Sequence, residues 1–398
     1  MSVLLRSQVS LVGIGLAFVL GASPAAADAP DLAPDIEPTA IETYEPVFFN
    51  RFSPRTALDM IAQTPGFDIK ESESRRGLGQ GGANVLINSR RISSKSTSAR
   101  DALNRITADK VVQIEILDGA SLNIPGLTGQ VANVVVRRGG LTGNWAWSPE
   151  FQEDRTAKLE NARVSVSGEF QSLDYTLAVE SKQFGDGSAG PETVLDADGV
   201  TALEERDEDQ DGNGVRREVN FALKHESLAG SFANLTLTGA TFDGGGREIS
   251  RRTVIDGNDY LRFFTDSNEA IEGEVSADYE FGLGPGRLKL IGLQRMNERE
   301  PGSQSLSTYF GEVADTGSRF SSINETGETI ARAEYGWIDG GDNDWQISLE
   351  GAFNYLDTTS ELSTLSGGSF ISVDLSNATT RIEERRAEAA LVHGRRLS

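Results

Sequence analysis

The sequence predicts a small α/β domain followed by an antiparallel, membrane-spanning β-barrel. Three observations carry this expectation. From Trp145 onward, apolar and polar residues alternate strictly over long runs. Ile271, Gly273, Val275, Ala277, Tyr279 and Phe281 share one face, while Glu272, Glu274, Ser276, Asp278 and Glu280 share the other. Trp345, Ile347, Leu349, Gly351, Phe353 and Tyr355 likewise oppose Gln346, Ser348, Glu350, Ala352 and Asn354. These runs come in pairs joined by short turns and separated by long polar stretches. Phe170, Tyr175, Phe232, Tyr279, Phe281, Trp337 and Trp345 gather beside the short turns, as an interfacial aromatic girdle would. A soluble sandwich also alternates. The expected strand length of about 9–12 residues, suited to a tilted bilayer crossing, favours the barrel.

Composition narrows the possibilities further. The formal charge of −23 argues against nucleic acid as a partner. The chain has no cysteine, which removes disulfides and cysteine-ligated metals, and only two histidines, His225 and His393. No nucleophile–base arrangement or metal-hydrolase motif stands out, so an enzyme is not expected. At the N-terminus, Arg6 supplies a basic start, Val9–Ala22 an apolar run and Ala25-Ala26-Ala27 a small-residue cleavage site. The apolar run falls short of the ~20 residues of a spanning helix. A signal peptide over residues 1–27 is therefore expected, with the mature chain starting at Asp28.

Taken in order, residues 28–46 are rich in Pro, Ala, Asp and Glu, which suits a linker. A helix comes next, with Ser53 expected at its cap, Pro54 at its first position, Leu58, Met60 and Ile61 on its apolar stripe, and Thr64-Pro65-Gly66 as its stop. Phe67–Glu71 reads as a short strand. Arg75–Gly82 is a glycine loop without the Gly-Lys-Ser/Thr of a phosphate loop. Asn84–Ile87 is a strand turned back at Asn88-Ser89. Ser98 caps a second helix, Ala99–Ile106, with Ala102, Leu103 and Ile106 inward. The stretch Ile114–Arg138 is strand, Gly/Pro-rich turn and strand, and Arg137-Arg138-Gly139-Gly140 is the hinge between the small domain and the barrel. Beyond the hinge, paired strands are expected at 162–170 and 174–182, 217–225 and 231–241, 270–281 and 287–294, and 329–337 and 344–355. A further strand begins near Thr379. About ten strands in all are expected on this side of the hinge.

Asp207–Glu218 fits the calcium-loop template D-x-[DN]-x-[DN]-G-x5-E. Asp207, Asp209 and Asp211 would offer side-chain oxygens, Asn213 a carbonyl and Glu218 a bidentate carboxylate, with Asp196 and Asp198 nearby. Such a calcium would be structural. The other reading is an acidic outer loop without metal, which the strand beginning at Val219 favours. No other cofactor is expected.

Val111, Ile114, Glu115, Asp118-Gly119-Ala120, Gly126, Gly129 and Val131-Ala132-Asn133-Val134-Val135, with Ala57-Leu58 through Pro65-Gly66 upstream, resemble the plug domain of TonB-dependent outer-membrane receptors. The resemblance implies a plug over residues 47–140 and an outer-membrane barrel over 141–398. It makes residues 28–46 a periplasmic linker whose end, Ala40–Phe49, is either a TonB box or the lead into the first plug strand. It places Arg75, Arg76, Gly77 and Gln80 in a loop facing the ligand. It implies import of a scarce ligand such as an iron–siderophore complex, cobalamin or a carbohydrate across the outer membrane of a Gram-negative bacterium. The TonB energy-coupling protein, outer-membrane lipid and an extracellular small ligand would be the partners. The alternative is a surface binding or signalling protein without active transport. The family usually has Asp-Gly or Asn-Gly where Asn88-Ser89 stands, which leaves that turn type open. Barrels of the family have about 22 strands and often end in an aromatic residue. The ten expected here, ending at Leu397-Ser398, look like the N-terminal part of a longer receptor.

Overall fold

The computed structural model describes residues 41–70, 83–91, 98–119, 122, 127, 129–137, 139–152, 156–339 and 343–395. Two units of strand structure succeed one another along the chain. The first runs β1 (Glu42–Tyr44), α1 (Pro46–Phe49), α2 (Ala57–Ile61), β2 (Val85–Ile87), α3 (Ala99–Asn104), β3 (Val111–Asp118) and β4 (Gln130–Val136). Its sheet has the order β1-β3-β4-β2, with only the β2–β4 pair parallel. Phe49, Met60, Ile61, Val85, Leu103, Val111, Ile114 and Val134 form its core. This is the expected small α/β domain.

Its details correct the expectations in three places. The cap of α2 is Thr56, not Ser53. Ser53 closes the preceding 3-10 turn with φ of 50°, whereas a capping residue needs extended backbone. Thr56 has it (φ −131°), and forms a reciprocal box: the Asp59 amide donates to Thr56 Oγ1 at 3.3 Å, and the Thr56 amide donates to Asp59 Oδ2 at 3.0 Å. Residues 67–70 form no strand. Asn84 holds them instead, accepting from the Lys70 amide at 2.7 Å and donating to the Asp68 carbonyl at 3.0 Å. Asn88 and Ser89 make a two-residue primed turn after all, with φ of 50° and 62° and both Ile87–Arg90 backbone hydrogen bonds in place. Ser89 replaces the usual glycine because Asn133 accepts from its amide at 2.7 Å, while Asn88 Oδ1 accepts from the Val136 amide at 2.7 Å. Those bonds offset the cost of a left-handed backbone. The second helix is capped by Ser98 as expected, with Ala99 and Leu103 buried.

Lys110 Nζ donates to the carbonyls of Gly139 and Gly140, both at positive φ, and so ties the hinge back to the small domain. Past it lies one antiparallel sheet: β5 (Thr142–Trp147), β6 (Ala162–Phe170), β7 (Leu173–Leu195), β8 (Ala202–Glu226), β9 (Phe232–Val254), β10 (Tyr260–Leu283), β11 (Gly286–Tyr309), β12 (Thr316–Asp339), β13 (Asn343–Ser366), β14 (Ser369–Val373) and β15 (Thr379–Arg395). Each strand pairs with its neighbour in sequence, except that β14 and β15 lie one after the other along the same side of β13. Counted as one interrupted strand, they bring the total to the expected ten. Among the described residues β5 and the β14–β15 line are edges, so the sheet is open. No described helix is long and apolar enough to cross a membrane.

The strands are far longer than expected. β7 has 23 residues, β8 has 25 and β10 has 24. The polar stretches that read as long loops are continuations of the ladder. Residues 183–195, for instance, pair with 202–215. Alternation marks a strand only where its two faces meet different surroundings; where both are wet, the ladder continues without a pattern.

This also overturns the calcium loop. Asp207–Glu218 lies inside β8, paired on both sides from Pro191–Asp207–Arg251 to Glu180–Glu218–Ala240. At ~3.3 Å per residue this stretch spans roughly 36 Å. Asp207, Asp209, Asp211 and Asn213 share one face, and Glu218 lies on the other. They cannot surround one cation.

The capping assignment has a direct test. Thr56→Ala should destabilise α2 by about 1 kcal/mol and speed amide exchange at Met60–Ala62 several-fold, while Ser53→Ala should leave it unchanged.

Candidate functional site

The large sheet has its faces reversed relative to a water-soluble protein. On β10, Ile271 is 65% exposed and Val275 47%, whereas Glu274, Ser276 and Asp278 are 4% or less. On β13, Leu349 and Ile347 are exposed while Glu350 is buried. A soluble sheet buries its apolar face, since burial is worth about 25 cal/mol per Å² of apolar surface. Here that face is turned outward. It is also framed by aromatics. Near the short turns, Tyr335, Trp337 and Trp345 stack in succession at 5.6 and 6.2 Å, and His393 lies 4.2 Å from Trp345. Further along β13, Phe353 and Tyr355 pair at 6.3 Å. From Trp345 to Tyr355 is ~33 Å of strand, or roughly 23 Å along the normal at a ~45° tilt, close to the ~25 Å apolar band of an outer-membrane barrel.

The small domain sits on the opposite, polar face, held by two arginines, Arg90 and Arg105, that the sequence pattern did not single out. Arg90, at the end of the Asn88-Ser89 turn, makes a 3.1 Å ion pair with Glu280 of β10, and its guanidinium lies 3.8 Å from the Phe232 ring centroid. Arg287 holds the other oxygen of Glu280 at 2.6 Å. Arg105, just past α3, reaches Glu218 of β8 at 3.3 Å. Glu218 also meets Arg216 at 3.3 Å, and Arg216 meets Glu272 at 2.9 Å. Burial draws the Arg105 guanidinium below its ordinary value, while Asp101, Glu218 and Glu180 pull it back. Arg91 is depressed by burial in the same way, with Glu334 opposing. Asn144 of β5 donates to the Asn104 carbonyl at 3.1 Å. Between the units, Asn104, Arg105, Arg163, Ser165, Glu180 and Glu218 enclose a cavity of about 20 Å³, room for one water.

A signal for this seat was present in the sequence. Arginines at a tight turn and at a helix end, in an acidic chain with carboxylates on every second position of its strands, are complementary surfaces. The sequence did not say which face of the barrel the small domain would meet.

The other expected site residues fall differently. Arg75, Arg76, Gly77 and Gln80 lie outside the described residues, as does the signal peptide. Of the stretch Ala40–Phe49, residues 41–49 are built into the small domain. β1 pairs with β3, the Ile41 amide donates to the Ile116 carbonyl at 2.8 Å, and Tyr44 and Phe49 are buried. What read as linker up to residue 46 therefore includes the first strand of the domain. Asp198 serves its own turn between β7 and β8. It accepts from the Thr201 hydroxyl at 2.6 Å and from the Thr201 and Val200 amides at 2.9 Å each. These bonds, the Thr201 hydroxyl first, bring its pKa down to about 2. Their contribution is present above the ordinary carboxylate value and is lost as pH falls toward 2.

No family model and no characterised protein sequence matches the chain. Among solved structures, it is similar to the ferric yersiniabactin uptake receptor FyuA from Yersinia pestis, at 12% identity and a TM-score of 0.30, over 90% of this chain and 62% of that one. It is similar to the siderophore receptor PiuA from Acinetobacter baumannii, at 10% identity and a TM-score of 0.24, over 89% and 61%. It is also similar to the copper transporter OprC, at 11% identity and a TM-score of 0.27, over 92% and 63%. The chain spans about three fifths of the length of each. At these values the likeness adds nothing to the reading, which rests on the chain's own faces and contacts.

The seat is open to a double-mutant cycle. The Arg90 and Glu280 side chains are about a third and a fifth exposed, so their coupling should be about 1 kcal/mol. With Ala99→Cys as the sole, buried thiol, Arg90→Met and Glu280→Gln should each lower the urea concentration at which it is alkylated. The double variant should fall short of the sum.

Proposed function

We propose that this chain is the plug and part of the barrel of a TonB-dependent outer-membrane receptor that binds and imports a small external ligand. One observation carries the reading: the sheet turns its apolar face outward and holds a folded α/β domain on its charged inner face through Arg90 and Arg105. In water the outer face would be costly; in a bilayer it is solvated. A domain seated on the inner wall closes the passage and must shift for a ligand to pass. Ion pairs of modest strength suit such a seat, since they hold it at rest and yield to a pull. In this reading the N-terminal segment receives that pull from the periplasmic TonB protein, and the signal peptide directs the chain across the inner membrane. The loop of Arg75, Arg76, Gly77 and Gln80 faces the ligand. The role is non-catalytic.

The topology test exploits the absence of cysteine. Glu312→Cys, in the turn between β11 and β12, should react with a membrane-impermeant maleimide on intact cells. Ser172→Cys, in the turn between β6 and β7, should react only after the outer membrane is permeabilised. Equal labelling of both on intact cells would remove the membrane-spanning reading.

A further inference from the structure

On the wall opposite α3, two polar groups are buried without a partner. The Ser165 side chain is 4% exposed. Neither its Oγ nor Nε of nearby Arg163 reaches solvent, and among the described residues neither has a hydrogen bond. Buried polar groups in folded proteins almost always have a partner, either protein or ordered water. Both residues belong to β6 and line the cavity between the wall and the small domain.

The register shows why space is left there. Arg163 lies opposite Glu180 of β7, and Ser165 opposite Ala178. Ala178 is buried and carries only a methyl group, so the wall is hollow between Ser165 and Glu180. On its other flank Ser165 lies opposite Asn144, whose amide is engaged by the Asn104 carbonyl at 3.1 Å. Asp101, Asn104 and Arg105 of the small domain close the hollow. Arg105 is directed at Glu218 at 3.3 Å, and Glu180 pairs with Lys182 at 3.1 Å. Among the described residues no direct hydrogen bond joins Arg163 or Ser165 to the domain.

We infer that an ordered water is bound in this cavity, accepting from Arg163 Nε and bonded to Ser165 Oγ. It joins the β6–β7 wall to α3, whose Asp101 and Asn104 line the same space. The site selects its occupant by two demands. The occupant must accept from Arg163 Nε, and it must donate to the acceptors around it, among them the Glu180 and Glu218 carboxylates. A halide ion cannot donate, and it would meet the carboxylates of Asp101, Glu180 and Glu218. A metal cation cannot accept, and it would meet the guanidinium groups of Arg105 and Arg163. Water does both. The cavity of about 20 Å³ exceeds the ~10–15 Å³ that one water needs. The seat is therefore of two kinds. Arg90 and Arg105 hold the small domain by direct ion pairs, while Arg163 and Ser165 position it through the water.

The sign of a cavity-filling substitution tests this. Ala178→Val fills the cavity. A dry cavity gains stability from being filled. A hydrated one loses its water and leaves Arg163 Nε and Ser165 Oγ unpaired. In the full chain in lipid nanodiscs carrying Ala99→Cys, with folding verified by circular dichroism, Ala178→Val should speed alkylation at a fixed urea concentration about tenfold. With Arg163→Met and Ser165→Ala also present, it should no longer do so. A crystal structure of the unaltered chain should show a water within hydrogen-bonding distance of both atoms. Slower alkylation in Ala178→Val overturns the inference. So does the same acceleration once both polar groups are gone, or a crystal structure without that water. None of these results alters labelling at Glu312→Cys and Ser172→Cys, so the water and the receptor reading stand or fall separately.

Discussion

An inner wall crowded with half-buried carboxylates is costly unless those charges find opposite ones, and the seat of the small domain depends on that requirement. Once the apolar side chains of β6–β13 face outward, the alternate positions must turn inward, and they carry Glu218, Glu272, Glu274, Asp278, Glu280, Glu334 and Glu350. Buried or half-buried, such groups are costly unless paired. The wall supplies part of the answer itself. Arg332 and Arg386 flank Glu350 at 3.3 and 2.9 Å, and Lys289 lies 3.6 Å from Asp278. The small domain supplies more through Arg90 to Glu280 and Arg105 to Glu218. It is thus both the occupant of the wall and part of its charge balance, which gives its position a definite register.

Local features of the small domain serve that register. The primed turn at Asn88-Ser89 is held from β4 by Asn133 and by the Val136 amide, and it delivers Arg90 to Glu280 and Phe232. The Ser98 cap fixes the start of α3, and so fixes where its last turn presents Asn104 to β5 and Arg105 to β8. In both cases a backbone hydrogen bond inside the domain sets the origin of a side chain that reaches outside it. The tether from Lys110 to Gly139 and Gly140 holds the chain where it leaves for β5.

Much of this was legible in the residues, for reasons particular elements make clear. The strands around Ile271–Phe281 and Trp345–Tyr355 announced themselves because lipid and lumen impose opposite demands on successive side chains. The polar outer halves of β7–β13 did not, because water on both faces imposes none. That blindness produced the calcium loop: Asp207–Glu218 matches a ligand spacing, but a template assumes a chain free to curl, and the ladder holds this one straight. Ser53 and Thr56 were equally good capping residues by type. Only the left-handed backbone at Ser53, set by the turn before it, separated them. The seat of the small domain depended on arginines and glutamates more than a hundred residues apart, and no local pattern joins them.

The proposed receptor role requires that the apolar face of the large sheet meet lipid. Spin labels placed one at a time along β10 from Ile271 to Phe281, in the chain reconstituted in a bilayer, would measure it through their accessibility to oxygen and to a water-soluble nickel chelate. Oxygen access should peak at positions 271, 273, 275, 277, 279 and 281, and fall at the five between them, with a period of two. High chelate access at Ile271, Val275 and Tyr279, with no alternation, would contradict it.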